Sequence, residues 1–459
     1  MQSVQLDALE DRPADIVAAL DVVNGFDTML VDGLARLSEP QSVALAELAG
    51  AVAASPLADA VAAAVAKVRT GVIGADELSA LAAARAALLG AVHDALLDQV
   101  DTALGRTRRE WTATPDTAAP SPLAEGVRAW LGELAIGGWR SVDHDLVAAA
   151  DHIVESLLAD PALRRPAMLL DGFTAELGAF APIATMDPVP VRRWADLWTR
   201  ALLLSWRGAE PDIEESVSGR LLPLGVDIHE HGTAVQAQVY GVLEVSDAPA
   251  RRVRVSVAAA KVDTIVGPAL WQLLAGHRQL LTALAERRAL ELTDMPLTAT
   301  GDLLWDDDRA KAGEAADPFA TAAVQLPQAQ APAVAPLDSH PVHIAEPVLL
   351  EGYRVDSGLM ELGEQRIRVE LGTLSSAGPL TSARVSAAGG TMIGLLRWDA
   401  DGWSVRPLAV RRKVKSTLTD FHNGDWALGP TDPKIAKAQA KSGDAVAVLR
   451  ERAGRLLRK

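Results

Sequence analysis

The sequence predicts an α+β multidomain protein: a helical N-terminal region, two β-rich modules, and a basic helix at the C-terminal end. Three observations carry that prediction. Capping residues repeatedly precede Ala- and Leu-rich stretches up to residue 207, strict apolar–polar alternation begins near residue 234, and a Pro/Ala/Gln run separates two alternating regions. At 459 residues the chain exceeds what one hydrophobic core normally serves.

In the front region, Ser38-Glu39-Pro40-Gln41 reads as a helix cap with Gln at the capping-box position. Ser55-Pro56, Ser121-Pro122, Asp160-Pro161 and Asp187-Pro188 each place a capping side chain before a proline, which costs nothing in a first helical turn. With the apolar spacing that follows, these predict helices near 13–36, 39–53, 56–69, 75–105, 122–136, 143–159, 161–180 and 188–206. Residues 1–207 then form a helical domain, with a candidate split at the Thr/Pro-containing stretch 106–120.

Residues 208–305 are expected to be a β module with a long helix. Ala234–Tyr240 and Arg252–Val257 alternate as half-buried strands, and Leu270, Trp271, Leu274, Leu280 and Leu284 mark a helix over 265–291. Residues 306–340 open on Asp306-Asp307-Asp308 and continue in Pro, Ala and Gln, the composition of a flexible linker. A second β module covers 341–415, with alternation at Arg366–Leu371, and 416–459 forms a basic helical tail. Arg254-Val255-Ser256-Val257 with Gly267 and Trp271, and Arg384-Val385-Ser386-Ala387 with Gly394 and Trp398, hint at a duplicated module.

Zero cysteines exclude disulfides, thiolate metal sites and thiol nucleophiles, and agree with a cytoplasmic location. Met1–Pro13 carries Asp7, Glu10 and Asp11 and no basic run, so no secretory leader is expected. The apolar stretch 43–66 is broken by Glu47, Pro56 and Asp59, so no membrane contact is expected. The Ala, Gly, Pro and Arg content points to a GC-rich, bacterial genome.

Asp227-Ile228-His229-Glu230-His231 is the candidate metal site. On a strand, Asp227, His229 and His231 project to one side, and two imidazoles with a carboxylate can hold a divalent metal and leave a position open. A solvated hairpin tip explains the same residues. His144, Asp151 and Glu155 fall near one helix face, with His152 beside Glu155, which a charged surface also explains; Trp194 and Trp198 read as core anchors. Ser386–Thr391 lacks the Gly-Lys-Ser/Thr ending of a phosphate-binding loop, and no nucleophile elbow, His-Glu-x-x-His or kinase signature occurs.

Charge layout is the most informative feature. From Val405 onward thirteen Lys/Arg face five Asp/Glu, a net of +8 in a chain of net −16, leaving −24 on residues 1–404. Arg411, Arg412, Lys413 and Lys415 are the candidate partner-binding residues. A protein partner, or self-association of the acidic body with the basic tail, is favoured over nucleic acid, because the net negative charge repels a polyanion. The expected function is a non-catalytic scaffold or adaptor with no cofactor. The alternatives are a metal-dependent hydrolase using Asp227, His229 and His231, and a nucleic-acid-binding protein acting through the basic tail with Trp403, Phe421 or Trp426 stacking on bases.

Overall fold

The computed structural model describes residues 1–10, 14–112, 121–160, 163–206, 213–387, 389–399, 402–442, 446–448 and 451. Among these residues ten α-helices make the front: α1 (Ser3–Glu10), α2 (Ala14–Asp32), α3 (Glu39–Ala51), α4 (Ala58–Arg69), α5 (Ala75–Leu104), α6 (Ala124–Gly137), α7 (His144–Ala148), α8 (Asp151–Leu158), α9 (Arg164–Phe180) and α10 (Val191–Leu204). The predicted capping box is present, with the Ser38 amide donating to Gln41 Oε1 at 2.8 Å. Asp187-Pro188 does not start a helix; α10 begins at Val191. The Pro161 start, most of the 106–120 split, residues 207–212 and the last eight residues of the tail lie outside the described residues.

Trp139, Trp194, Trp198, Phe26 and Phe173 fill the helical core. Trp139 meets Trp194 edge-on at 6.0 Å, and the Trp198 indole donates to Leu131 O at 2.9 Å, so a large apolar ring is buried without stranding its N–H. α5 is long and apolar enough to cross a membrane, and here it is a core helix, packed against α2, α4 and α10. It carries a buried arginine, Arg85, forked onto Asp27 of α2 at 2.5 and 2.9 Å and onto Asp196 of α10 at 2.6 Å. Against burial, those two carboxylates hold the guanidinium charged.

Among the described residues twelve strands follow. The first six are β1 (Ile213–Glu230), β2 (Ala234–Glu244), β3 (Arg251–Ala260), β4 (Arg288–Thr298), β5 (Asp302–Leu303) and β6 (Ala310–Ala315). The others are β7 (Glu346–Asp356), β8 (Leu359–Leu362), β9 (Gln365–Val369), β10 (Gly390–Asp399), β11 (Gly402–Val414) and β12 (Thr417–His422). The first set runs β1-β2-β3-β5-β4 and closes by β4 pairing with β1; the second runs β7-β8-β9-β11-β10 and closes by β10 pairing with β7. Each ring holds one parallel contact, between its third and fifth strands, two residue pairs long: Arg254↔Asp302 and Val255↔Leu303, then Ser404↔Arg368 and Val405↔Val369. Each inserts helix between its third and fourth strands: α11 (Leu270–Leu273) and α12 (Arg278–Glu286) in one, α14 (Ser382–Val385) in the other. A three-strand meander, a helix and a returning pair closing a five-stranded barrel is the connectivity of an OB-type barrel, and the chain contains it twice. The sixth strands differ: β6 lies beside β4, whereas β12 lies beside β11.

The duplication is therefore of topology, and its register is not the one the sequence hinted at. Arg254–Val257 lie in β3 while Arg384 and Val385 lie in α14. The long helix expected over 265–291 is a 3₁₀ turn plus α11 and α12; Arg287 adopts a left-handed conformation that ends α12, and Arg288 starts β4.

Residues 306–340 are not a linker. Asp317 caps α13 (Pro318–Val324) by accepting the Phe319 amide, and Phe319 is buried with Ala322, Leu326 and Ala329 between the barrels, beside Leu224, Tyr240, Ile393 and Leu408. Residues 330–331 then run extended between two neighbours: Gln330 exchanges backbone hydrogen bonds with Ala250 and Arg252, and Ala331 with Thr107 and Arg109. Small Ala and Pro side chains let the strand slip into that slot, and its amides pair on both sides, which is what offsets its ordering entropy.

The barrels touch directly. At Gly225 of β1 a Cβ would stand 2.8 Å from Leu408 Cβ of β11, so only glycine permits the approach. The buried Asn423 side chain donates to Val226 O and Pro407 O, both at 3.2 Å, one from each barrel. α15 (Pro433–Ser442) follows, with Ile435 against the first barrel's core, which Val446 further on also joins.

Candidate functional site

The predicted metal residues separate into two and one. Asp227 and His229 share a face of β1, with Nε2 and Oδ2 3.1 Å apart, but the other Asp227 oxygen is 2.9 Å from Arg406 Nε of the second barrel. Burial pushes the Asp227 carboxyl up, and His229, Arg406 and Arg397 outweigh it and hold it below the usual range. His231 lies past the strand end in the β1–β2 turn, exposed, with Nδ1 3.4 Å from Thr233 Oγ1. Among the described residues no group of three His, Cys, Asp or Glu side chains is placed to share a metal. His144 and His152 sit on the outer helices, and Asp143 is the cap of α7.

The predicted partner-binding residues also divide. Arg411 forks onto Asp420 at 2.8 Å, reaches Asp317 at 2.8 Å and lies 4.4 Å over the Phe319 ring, and Arg412 donates to Ala383 O and Arg384 O at 3.3 Å. Both are spent inside the chain. Lys413 and Lys415 are exposed at the β11–β12 turn, and Lys434, Lys437 and Lys441 are exposed on α15, away from Ile435.

The densest polar cluster is one that spacing alone did not single out. Gly105, at φ 62°, ends α5 and turns the chain into an extended segment, on which Arg106 and Arg108 project to one side and Arg109 to the other. Arg109 goes to Glu214 at 2.6 Å. Arg106 and Arg108 converge on Glu346, the first residue of β7, at 3.3 and 3.0 Å, and Arg252 of β3 reaches the same carboxylate. Asp101 holds Arg108 from the other side at 2.7 Å. One buried carboxylate thus ties the helical front, the first barrel and the second barrel together. Burial raises the Glu346 pKa, but Arg252, Arg108 and Arg106 outweigh it and hold the carboxyl far below the ordinary range. Arg106 is pulled down to about 9, by burial and by Arg252.

Beside this cluster lies a cavity of about 130 Å³, lined by Arg108, Arg252, Arg254, Tyr240, His343 and Glu346 among others. Arg252 is 95% buried in side-chain terms (5% exposed) while Arg254 is 38% exposed and His343 is exposed, so the arginine floor is deep and the mouth opens past Arg254 and His343.

Fold and cluster together define an α+β protein in which a helical body and two OB-type barrels are joined by buried ion pairs. In comparisons with known proteins, no family model, no curated protein and no solved structure matches the chain.

Proposed function

We propose that the chain is a non-catalytic interaction protein, a scaffold or adaptor subunit of a cytoplasmic assembly, that docks an acidic protein surface partly through its basic C-terminal segment. The observation that carries this reading is the division of its cations. Arg406, Arg411 and Arg412 are consumed by internal partners, whereas Lys413, Lys415, Lys434, Lys437 and Lys441 are exposed and carry no ion pair among the described residues. Unpaired lysines on a body of opposite net charge steer association with an anionic partner and cost little to present.

Nucleic acid is the weaker reading for a second reason besides net charge. OB-type barrels offer the face of their second and third strands to oligonucleotides. In the first barrel Tyr240 and Val242 on that face are buried against Ile393, Leu395 and Leu408, and Arg252 is turned into the junction. Fold likeness alone assigns no ligand.

The test is charge reversal of the five lysines to Glu in the full chain, with quantitative recovery of co-purifying proteins from the native host at low and high salt. Loss of acidic partners both in the variant and at high salt supports the reading. Equal recovery from both chains refutes it. An oligonucleotide shift present in the native chain and lost in the variant would favour nucleic acid instead, and stoichiometric metal lost on His229→Ala would favour the hydrolase.

A further inference from the structure

We propose that the cavity at the junction of α5, β3 and β7 is a binding site for a small oxyanion, a phosphate or carboxylate group that enters past Arg254 and His343 and seats on Arg252 and Arg108.

Charge is the first argument. Arg106, Arg108 and Arg252 stand against only two carboxylates, Glu346 and Asp101, so the buried cluster has one positive charge in excess. The neighbouring pairs, Arg254 with Asp302 and Arg200 with Asp338, are balanced and supply no counter-charge. A purely structural tie among three bodies is complete with matched charges, and an unmatched buried charge weakens it. Arg106 is depressed first by burial and then by Arg252, the second part being the mark of that excess.

Donor accounting is the second. Arg252 uses Nη1 on Glu346, and its Nε and Nη2 have no acceptor among the described residues. A guanidinium presents five N–H groups, so about three of them are left unmet on a side chain almost wholly buried. Leaving such donors unmet is costly, and an acceptor supplied from outside the chain removes the cost.

Geometry is the third. Arg252 and Arg254 are two apart on β3, and Arg106 and Arg108 are two apart on the segment after Gly105, so each pair projects from one face of an extended backbone. Arg108, Arg252 and Arg254 all line the same cavity, whose 130 Å³ is room for several waters and so for a tetrahedral oxyanion. Planar forks converging from two backbones suit bidentate recognition of such a group. The inference is independent of the lysine surface, since none of the five exposed lysines lines this cavity.

The experiment is calorimetric titration of the full chain with inorganic phosphate, and in a parallel arm with acetate, at ionic strength held constant with sodium chloride. Saturable one-site binding is expected. Arg252→Lys keeps a cation opposite Glu346 but removes the fork, and should weaken binding about 10- to 100-fold. Arg109→Gln, which removes a whole charge on the opposite side of the segment, should leave it unchanged. If Arg252→Lys does not fold, hydrogen exchange of the native chain decides: phosphate, and not chloride, should slow the amides of 106–109 and 251–254. Absence of saturable binding by either anion, equal effects of the two substitutions, or exchange indifferent to phosphate would overturn the proposal.

Discussion

Replacing Glu346 by Ala removes the one carboxylate that three guanidiniums share. Arg106 and Arg252 are each 5% exposed and Arg108 16%, so none can turn to bulk water, and the cluster's excess rises from one positive charge to two. Breaking a buried pair by deleting one member costs about 3–5 kcal/mol; all three guanidiniums lose an acceptor here, although Arg108 keeps Asp101 and Arg106 keeps Pro347 O. With a urea slope of about 3 kcal/mol/M, the unfolding midpoint should fall by about 1–1.7 M. Because Glu346 joins all three bodies, the transition should also broaden or split as the barrels uncouple from the helices. The pH dependence follows from the depressed carboxyl. The native chain holds its full contribution above the unfolded value of 4.5 and sheds it as pH falls from there toward the folded value, whereas the Ala variant lacks that loss. A midpoint shift below about 0.3 M, less than about 1 kcal/mol, would refute the tie.

Three more outcomes are expected. Arg85→Leu leaves Asp27, 2% exposed in its side chain, with Arg192 Nε at 3.1 Å in place of a buried fork, and should cost about 3 kcal/mol by urea unfolding, with Asp27→Asn in the same chain recovering part of the loss. His422 is buried, and burial holds it at about 4, so the folded chain stays neutral there while the unfolded chain takes up a proton near 6.5; stability should fall by about 3 kcal/mol as pH drops from 6.5 to 4, and His422→Gln should flatten that slope. Phe319→Ala empties the wedge between the barrels and should cost about 3–5 kcal/mol, while limited proteolysis of the native chain should spare 313–335, where a true linker would be cut first.

Most of the helical front was legible because its elements are written locally; α1 was not expected, and the helix expected over 143–159 is divided into α7 and α8. Ser38 with Gln41, the long stripe of α5, and Trp194 with Trp198 at helical spacing need no distant partner to be read. β2, β3 and β9 were legible for the same reason, since each has one dry face and one wetter face. β1 was not: Leu221–Ile228 is buried on both sides, so alternation vanishes, and Pro223 with Gly225 reads as a break where the structure has a register shift. The stretch 306–340 misled because Ala and Pro composition looks the same in a flexible chain and in a strand threaded through a narrow slot. In the candidate sites, Asp227 and His229 do share a face as strand periodicity requires, but the partner of Asp227 is Arg406, 179 positions further on by numbering, which no spacing rule reaches. The arginine cluster did leave a trace: Arg106-Thr107-Arg108 and Arg252-Val253-Arg254 are both Arg-x-Arg in extended segments, and Glu346 is a lone acid ahead of the apolar run Pro347–Leu350.

The pairing of Arg106 with Glu346 spans 240 residues, and Arg108 with Glu346 spans 238. A ribosome adding about 5–20 residues per second needs about 12–50 s to cross that interval. Throughout it, the end of α5 has been made but its counter-ion, its flanking strand at Gln330 and Ala331, and the second barrel have not. The helical front therefore emerges as a body with an unfinished, cationic seam, and the last barrel to be synthesised closes it. Cutting the chain at residue 207 or 340 would yield pieces that each expose one side of that seam, so the helical front and the two barrels fold as one unit and not as consecutive parts.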